Sequence, residues 1–307
     1  MRFAVDDQKC THCGACVATC PTDMVRDKRG AIKISFVACL GCGHCMAICP
    51  EGAIALEQIE YEGDFRPMPQ AVPDADTLLA LLQSRRTVRR YRSDPVSRDD
   101  LARLIEAARW VPTGANCQCQ QFIVVTDPAR LDRLRQEIMD HYRRYAEALT
   151  HDGGAEHVAG RRPETYPAPG PDDDDAAVVI RPLQTAGQMH EHILAAVPSF
   201  VKNVDAGRDR LFFDAPAVII IHAPRHEVLP EAACAFATLA MALMAETLGL
   251  GTCITAYASL ALQALPDVAR EVGIPEGNEA YDVLVVGHPA ERYQLVPPRR
   301  PAGVQWL

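Results

Sequence analysis

The apolar positions along the chain separate into two regions with different patterns. After about residue 76, continuous apolar runs predict buried strands, and apolar residues at helical spacing predict the helices between them. The predicted strands are 122–126, 217–222, 252–257 and 282–287, and the predicted helices are 76–83, 97–110, 128–148, 231–248 and 268–272. Before residue 62, short strand-like pieces flank a glycine turn at 25–36, and a similar strand-like pattern recurs at 52–61. This repetition predicts a small module of two similar halves.

Two segments lack the periodicity of packed elements. Residues 63–75 contain three prolines and predict a linker. We therefore expect a first domain at 1–62 and a second at 76–307, which agrees with about two domains for a chain of 307 residues. Residues 149–190 contain four consecutive aspartates and several prolines, a composition that cannot build a packed core. This insertion is interpreted either as a solvated flexible segment or as a lid over a substrate pocket.

Eight cysteines stand in two matching motifs, 10–21 and 39–50, each with the spacing C-x2-C-x2-C-x3-C-P. A 4Fe-4S cluster needs four soft thiolate ligands, and cysteines at every third position can place three of them around one cluster. The fourth cysteine, which precedes proline, is directed to the other cluster. The predicted ligands are Cys10, Cys13, Cys16 and Cys49 for the first cluster, and Cys39, Cys42, Cys45 and Cys20 for the second.

Zinc and disulfide bonds are the alternative uses of these cysteines. Zinc favours two C-x2-C pairs over a run of three with a remote fourth ligand. Disulfides between cysteines three apart have poor geometry, and nothing in the sequence suggests secretion. The doubled pattern resembles the bacterial two-cluster ferredoxins over residues 1 to about 60. That resemblance implies a module that carries single electrons, and it names no substrate.

Charge and composition narrow the function classes. The formal net charge is −9, so the chain has no general attraction to nucleic acid or anionic lipid. The charged start, residues 1–9, lacks the apolar region of a secretory signal, and the longest apolar run, 232–245, has the length of a buried helix. The cysteine usage fits a reducing compartment, and we expect a cytoplasmic protein.

An electron-carrying module joined to a larger domain calls for a cofactor that exchanges electrons both singly and in pairs, as flavins do. The densest candidate for its phosphate site is the segment 84–91, SRRTVRRY, because planar guanidinium groups bind phosphate through paired hydrogen bonds. Taken alone, these arginines favour the interpretation of a solvated basic face over a phosphate site.

The order of several motifs in the second region resembles the nitroreductase family of flavoproteins. The motifs are R-[RH]-[ST]-x-[RK]-x-[FY] at 85–91, P-[ST]-x-x-N-x-Q at 112–118, GLGTC at 249–253, L-x-x-G-x-P at 284–289 and an Arg-Pro near the C-terminus at 299–301. The resemblance covers about residues 76–307. It implies an α+β chain in which the small ferredoxin-like domain precedes a nitroreductase-type α/β sandwich, with a mixed central sheet flanked by helices, in a homodimer.

The same resemblance implies FMN as the cofactor and a set of contacts to it. One group holds the phosphate and ribityl chain, a second contacts the flavin from the partner subunit, and the backbone of a third lies by its N5 edge. These groups are, in order, Arg85, Arg86, Thr87, Arg89 and Arg299; Pro112, Thr113, Gly114 and Asn116; and Ile254, Thr255 and Ala256. The tail, 293–307, is expected to wrap around the other subunit.

The chain departs from the family pattern where a substrate would stack. Cys117 and Cys119 stand in the motif that often reads Asn-x-Gln-Pro-Trp, and Tyr257 replaces a common glycine. The two thiols are interpreted as small fillers near the cofactor, with thiol chemistry as the alternative. Cys234 and Cys253 lie in apolar runs and are expected in the core. No histidine is assigned a role.

The leading functional hypothesis is an FMN-dependent reductase that passes electrons from 4Fe-4S clusters to FMN and on to an electron-poor small molecule of nitro, quinone or enone type. The donor is an external ferredoxin or NAD(P)H. The alternative from another class is an electron carrier or redox sensor that relays electrons to a protein partner. Reductive dehalogenation and flavin fragmentation are further enzyme readings that share the fold of the family resembled.

Overall fold

The structure is a computed structural model that describes residues 2–57, 65–151 and 196–307. Its N-terminal part consists of two antiparallel strand pairs and two short helices. Strand β1 (Arg2–Val5) pairs with β4 (Ile54–Glu57), and β2 (Val25–Asp27) pairs with β3 (Ile32–Ile34). Helices α1 (Ala15–Thr19) and α2 (His44–Ala47) each lie within one cysteine motif. The two similar halves that the sequence predicts are therefore present.

Both short helices begin at a glycine in the left-handed region. Gly14 has φ 75° before α1, and Gly43 has φ 73° before α2. Glycine adopts this conformation without the steric cost that a side chain imposes. The glycine after the second cysteine of each motif thus turns the chain so that the third cysteine enters a helix.

The second part contains seven helices and four strands among the described residues. The helices are α3 (Ala75–Ser84), α4 (Arg98–Arg109), α5 (Pro128–His151), α6 (Val197–Asp205), α7 (Pro230–Thr247), α8 (Ala256–Ala264) and α9 (Pro266–Val272). The strands are β5 (Gln121–Val125), β6 (Ala217–Pro224), β7 (Gly251–Ile254) and β8 (Asn278–Gly287). A 3₁₀ turn occupies Gly114–Asn116.

The four strands form one sheet in the order β5-β6-β8-β7. All three strand pairs are antiparallel, so the predicted mixed sheet is not what the structure has. Within the described ranges, parallel pairing is limited to an isolated bridge between Thr87 and Thr252. Parallel neighbours need long crossovers, whereas the segment 85–91 only touches the edge of β7 as it passes.

Helices cover both faces of the sheet and produce two cores. Alternate residues of β6 face opposite sides, because side chains alternate along a strand. Val218 and Ile220 pack in the core beneath α5, α6, α8 and α9, while Ile219 and Ile221 pack in the core beneath α4 and α7. Because both faces are covered, the central strands read as continuous apolar runs in the sequence.

Two sequence predictions need correction or restriction. The predicted strand 252–257 is wrong in its second half, because β7 ends at Ile254 and α8 begins at Ala256. The amide of Thr255 still bonds to the carbonyl of Val283, and the alanines and leucines that follow favour a helix that the apolar run concealed. Helix α5 extends to His151, and most of the predicted insertion at 149–190 lies outside the described residues.

A half-buried carboxylate links α7 to the sheet and yields a testable pH dependence. Thr238 of α7 donates a hydrogen bond to Asp282 of β8 at 2.7 Å. Burial raises the pKa of Asp282, and the Thr238 bond opposes that shift only in part. The folded state therefore favours the protonated acid. The stability that Asp282 contributes is complete at low pH and is lost as the pH rises through its folded pKa.

We expect Asp282→Asn to stabilise the second domain at neutral and alkaline pH, with a gain that shrinks as the pH falls. The neutral amide avoids the cost of burying a charge and keeps an oxygen that accepts from Thr238. The measurement is the urea midpoint as a function of pH. Asp267→Asn is the control, because Asp267 is exposed in a surface ion pair with Arg270. A gain that is independent of pH would contradict the burial argument.

Candidate iron-sulfur and flavin sites

The eight motif cysteines surround two cavities, and each cavity draws one cysteine from the other motif. One cavity is lined by Cys10, Cys13, Cys16 and Cys49, and the other by Cys20, Cys39, Cys42 and Cys45. This grouping is the crossed arrangement that the motif spacing predicts. Within the described residues, no three Cys, His, Asp or Glu side chains converge closely enough to hold a single metal ion. Thiols spread around a cavity fit the corners of a cluster better than one ion.

The crossing cysteines have matching hydrogen bonds. The Met24 amide donates to Cys20 Sγ, and the Ala53 amide donates to Cys49 Sγ, both at 3.3 Å. In each case the donor lies four residues after the cysteine, as expected if the two halves of the N-terminal domain have the same local structure. Backbone N–H groups aimed at sulfur stabilise thiolate charge and tune a bound cluster.

The thiols lie in contrasting electrostatic environments. Burial, together with the neighbouring Cys42, raises the pKa of Cys45 to about 11. Burial also acts to raise the pKa of Cys20, but backbone hydrogen bonds from Thr22, Val25 and Met24 outweigh it and lower the pKa overall. Backbone N–H groups thus stabilise the thiolate form of Cys20, a cysteine that crosses to the other cavity.

The predicted phosphate segment lies against the start of β7. The Val88 amide bonds to the Thr252 carbonyl at 2.9 Å, and a Cβ on Gly251 would lie 2.6 Å from Val88 Cγ2. This close approach explains the glycine. Val88 is buried, whereas Arg89 on the next position is exposed. The backbone is therefore anchored while the Arg89 guanidinium remains accessible to an anion.

The arginines of this segment have different surroundings. The Arg86 guanidinium donates to the carbonyls of Arg85 and Gln83, where it satisfies acceptors at the end of α3. Arg89 lies beside the Cys253 thiol, whose pKa is raised by burial while the guanidinium acts in the opposite direction. Arg85 is half-buried. Arg85 and Arg89 are thus the better candidates for phosphate, and the role predicted for Arg86 stays a prediction.

The turn after α4 is tightly constrained. Ala115, Asn116 and Gln118 have positive φ values of 49°, 57° and 45°, a conformation that is costly for residues with side chains. Thr113 Oγ1 accepts from the Gln118 amide at 3.1 Å. A Cβ on Gly114 would lie 2.5 Å from the Val228 carbonyl oxygen, so this position is closed to larger residues. Packing thus fixes the turn against the chain that leads into α7.

Asn116 connects this turn to the N-terminal part of the chain. Its Nδ2 group donates to the carbonyl oxygens of Leu40 and Gly41, each at 3.3 Å. Both acceptors lie between Cys39 and Cys42, inside the loop that lines the second cavity. Sequence reasoning missed this contact, because the partners are about 75 residues apart and their carbonyls belong to the backbone.

The phosphate segment and the turn lie at opposite ends of α7. The turn contacts Val228, two residues before the helix begins, and the phosphate segment contacts Thr252 in β7, five residues after the helix ends. With 18 residues, α7 is about 27 Å long. A single chain therefore does not bring these two groups of predicted FMN contacts together.

The remaining predicted contacts are near β7 or in the tail. Ile254 is exposed at the end of β7, Thr255 is buried, and Ala256 begins α8. Arg299 lies in the tail, which is exposed throughout from residue 291. The Tyr293 hydroxyl donates to the Thr87 carbonyl at 3.2 Å, so the start of the tail passes the phosphate segment.

The residues that depart from the family pattern are mostly packed. Cys119 is buried, Cys117 is half-buried, and their Sγ atoms are 3.3 Å apart. The Tyr257 ring stacks on Phe200 with ring centroids 4.3 Å apart and meets the Tyr142 ring edge-on. This aromatic cluster supports the α8 core, which favours a packing role for Tyr257.

The other singled-out residues are also buried. Cys234 and Cys253 lie in the core as expected. His222 is buried, its Nδ1 lies 2.9 Å from the Asn278 amide nitrogen, and burial lowers its pKa. A neutral, hydrogen-bonded histidine of this kind agrees with assigning it no role.

Comparison with known protein families assigns a family to each of the two parts of the chain. Residues 82–288, more than half of the chain, match the Nitroreductase family. The chain belongs to the Nitroreductase family. Residues 9–54 match the 4Fe-4S dicluster domain. The predicted combination of a nitroreductase-type domain with an N-terminal ferredoxin-like domain is confirmed, and with it the enzyme class, an oxidoreductase. The boundaries at residues 62 and 76 stay predictions.

Two curated proteins match this nitroreductase-family chain over a short stretch of 69 residues. It is 41% identical over 69 residues to NADH dehydrogenase of Thermus thermophilus and, over the same length, to 5,6-dimethylbenzimidazole synthase of Rhodospirillum rubrum. Each match covers 22% of this chain, and 33% and 31% of those proteins, so the chain matches about a third of the length of these curated relatives.

The solved structures that this chain matches include nitroreductases with bound FMN from Bacteroides fragilis and Desulfitobacterium hafniense. Both are 20% identical to this nitroreductase-family chain, with TM-scores of 0.49 and 0.48. Each comparison covers 75% of this chain and 97% of the other. Across the described ranges, no helix has the length and apolar character needed to span a membrane.

Proposed function

We propose that this protein is an FMN-dependent oxidoreductase in which electrons pass from 4Fe-4S clusters to FMN and on to an electron-poor small molecule of nitro, quinone or enone type. The observation that carries the proposal is the pair of hydrogen bonds from Asn116 to the Cys39–Cys42 loop. It joins a turn predicted to contact FMN to a loop predicted to hold a cluster. A cysteine-lined cavity and a flavin site that are in contact form a path for electrons.

Two clusters are proposed, one in each cysteine-lined cavity. Cys10, Cys13, Cys16 and Cys49 would hold the first, and Cys20, Cys39, Cys42 and Cys45 the second. Bound clusters would supply one-electron transfer at low potential. The twelve cysteines, none in a disulfide, favour a reducing compartment such as the cytoplasm.

The residues of the second part would bind and orient FMN. When bound, FMN supplies the exchange between single electrons and a hydride. Arg85 and Arg89 would hold its phosphate through charge-assisted hydrogen bonds, with Arg86, Thr87 and Arg299 nearby. Ile254, Thr255 and Ala256 would border the ring, while Pro112, Thr113, Gly114 and Asn116 would cover it from the partner subunit. Their contribution to catalysis is positioning and the exclusion of water.

A homodimer would complete this site. A two-fold axis across α7 would place the start of one helix against the end of its partner, so that the turn of one chain would meet the phosphate segment of the other. An apolar face is available for this pairing, since α3 packs beside α7 and both present large exposed side chains. These are Leu78, Leu79, Leu82, Phe236 and Leu239. The exposed tail, with Trp306 92% exposed, is proposed to wrap around the partner.

Cofactor stoichiometry tests the proposal. Iron, acid-labile sulfide and released flavin are measured per chain on anaerobically purified protein, with oligomeric state from light scattering. We expect about eight iron atoms and one FMN per chain. Reduced protein should then be reoxidised by nitro, quinone or enone compounds. The same iron content without flavin would contradict the reductase proposal and favour an electron carrier.

A further inference from the structure

The direction of the two hydrogen bonds made by Asn116 is fixed by their chemistry. Backbone carbonyl oxygens only accept hydrogen bonds, so the side-chain atom that faces Leu40 and Gly41 must be the amide nitrogen. The same residue adopts φ 57° in a turn held by Gly114 against Val228. The loop between Cys39 and Cys42 therefore docks on a turn that is closely packed against Val228. Of the two cysteine-lined cavities, the second is the one whose lining loop makes these hydrogen bonds.

The docked loop is remote from its own chain's phosphate segment. Asn116 belongs to the turn that packs on Val228 before α7, whereas the backbone between Arg85 and Arg89 bonds to Thr252, beyond the other end of this helix, which is about 27 Å long. Electron transfer rates fall steeply with distance, so a route within one chain would run along the whole of α7. Across the proposed two-fold axis, the same docked loop would face the phosphate segment of the other chain.

We infer that electrons cross between subunits: the cluster held by Cys20, Cys39, Cys42 and Cys45 of one chain reduces the FMN whose phosphate is held by the partner's Arg85 and Arg89. This inference rests on the proposed function. An external one-electron donor, such as a reduced ferredoxin, loses one electron to the clusters in each event. Two events reduce one FMN with uptake of a proton, and the substrate then takes both electrons with protons from water. Asn116 is a positioning residue that fixes the donor loop.

Mixed dimers distinguish the crossed route from a route within one chain. Cys42→Ala removes a ligand of the second cluster, and Arg85→Ala with Arg89→Ala removes the phosphate anchor. In one mixed dimer, called separated, the cluster change is on one chain and the arginine changes are on the other. In the second, called combined, all changes are on one chain and the other is wild type. Two affinity tags allow each to be purified.

Both mixed dimers carry the same substitutions and are expected to bind one FMN, on the chain with intact arginines. In the separated dimer, that FMN faces the intact second cluster of the arginine variant. In the combined dimer, it faces the damaged cluster. Crossed transfer therefore predicts that a reduced ferredoxin bleaches the flavin about tenfold or more faster in the separated dimer. Faster bleaching in the combined dimer, or equal rates, would overturn the inference.

Flavin and iron content are measured before the kinetics, so that a failure of the crossed route can be distinguished from a failure of the proposed function. If neither mixed dimer binds FMN while the wild type does, the arginines of both chains serve each site and the crossed assignment fails alone. If wild-type protein also lacks FMN, the proposed function fails with it. Native mass spectrometry reports both contents independently of activity.

The positioning role of Asn116 has its own pair of variants. Asn116→Asp keeps the shape but replaces the donor with a carboxylate that repels the Leu40 and Gly41 carbonyls. Gln118→Glu adds the same charge two residues away, at an exposed position with a similar positive φ. We expect faster amide hydrogen exchange in residues 39–43 and slower flavin bleaching only for Asn116→Asp, in protein with matched FMN content. Equal protection in both variants would refute the positioning role.

Discussion

Replacing Arg85 and Arg89 together by alanine is expected to give a protein that keeps its iron but loses FMN. Arg89 is exposed beside β7, and Arg85 is half-buried at the end of α3, so neither is required by the core. A charge-assisted hydrogen bond contributes about 1.5–3 kcal/mol. Loss of one such bond at each arginine therefore weakens FMN binding by about 10²- to 10⁴-fold. The measurement is released flavin per iron, followed by titration with added FMN.

Arg90→Ala is the matched control for the arginine variant. Arg90 belongs to the same segment but forms a surface ion pair with Glu291 at 3.1 Å, with 72% of its side chain exposed. Surface pairs of this kind contribute little to stability. We expect Arg90→Ala to retain FMN at the wild-type level. Full flavin occupancy in the Arg85 and Arg89 variant would show that the phosphate lies elsewhere.

The second large effect is expected from the cysteines that cross between the motifs. Cys20→Ala should remove the cluster whose other three ligands lie in the second motif, so iron should fall by about half. Adding Cys45→Ala should cause no further loss, because both cysteines line the same cavity. Adding Cys49→Ala should remove the remaining iron, because Cys49 lines the other cavity. Iron analysis and the EPR spectrum of the reduced protein provide the measurements.

Cys253→Ala is the control for these variants, because Cys253 is buried in the second domain. It should keep all of its iron. If the variant with Cys20→Ala and Cys45→Ala lost as much iron as the variant with Cys20→Ala and Cys49→Ala, the crossed assignment of the cluster ligands would be wrong. FMN content is expected to stay near wild type in the single Cys20 variant, since its cavity lies outside the second domain.

The sequence could predict features that short-range rules control. The cysteine spacing implies which thiols share a cavity, because the two motifs have the same local geometry. The predicted helix 97–110 starts at a serine, a residue type that favours the N-cap, and the Ser97 hydroxyl accepts from the Asp100 amide. Continuous apolar runs indicated the central strands, because helices cover both faces of the sheet.

Features that depend on distant residues could not be predicted in the same way. The strand at 252–257 was extended too far, because an apolar run has no marker for the point where β7 leaves the sheet. The helix predicted at 76–83 is present as α3, yet its Leu78, Leu79 and Leu82 are exposed in the single chain, and the apolar spacing alone does not say what covers them. The Asn116 contact joins a side chain to backbone carbonyls, which carry no sequence pattern. Each of these depends on what the rest of the fold, or a second chain, places nearby.

The length of α7 also has a consequence in terms of mass action. If the two halves of the flavin site belong to different chains, FMN binding and subunit association stabilise one another. Dilution that separates the subunits would then release FMN, and excess FMN would shift the equilibrium toward the dimer. The apparent affinity for FMN would accordingly depend on protein concentration, even though every FMN contact is with this one kind of chain.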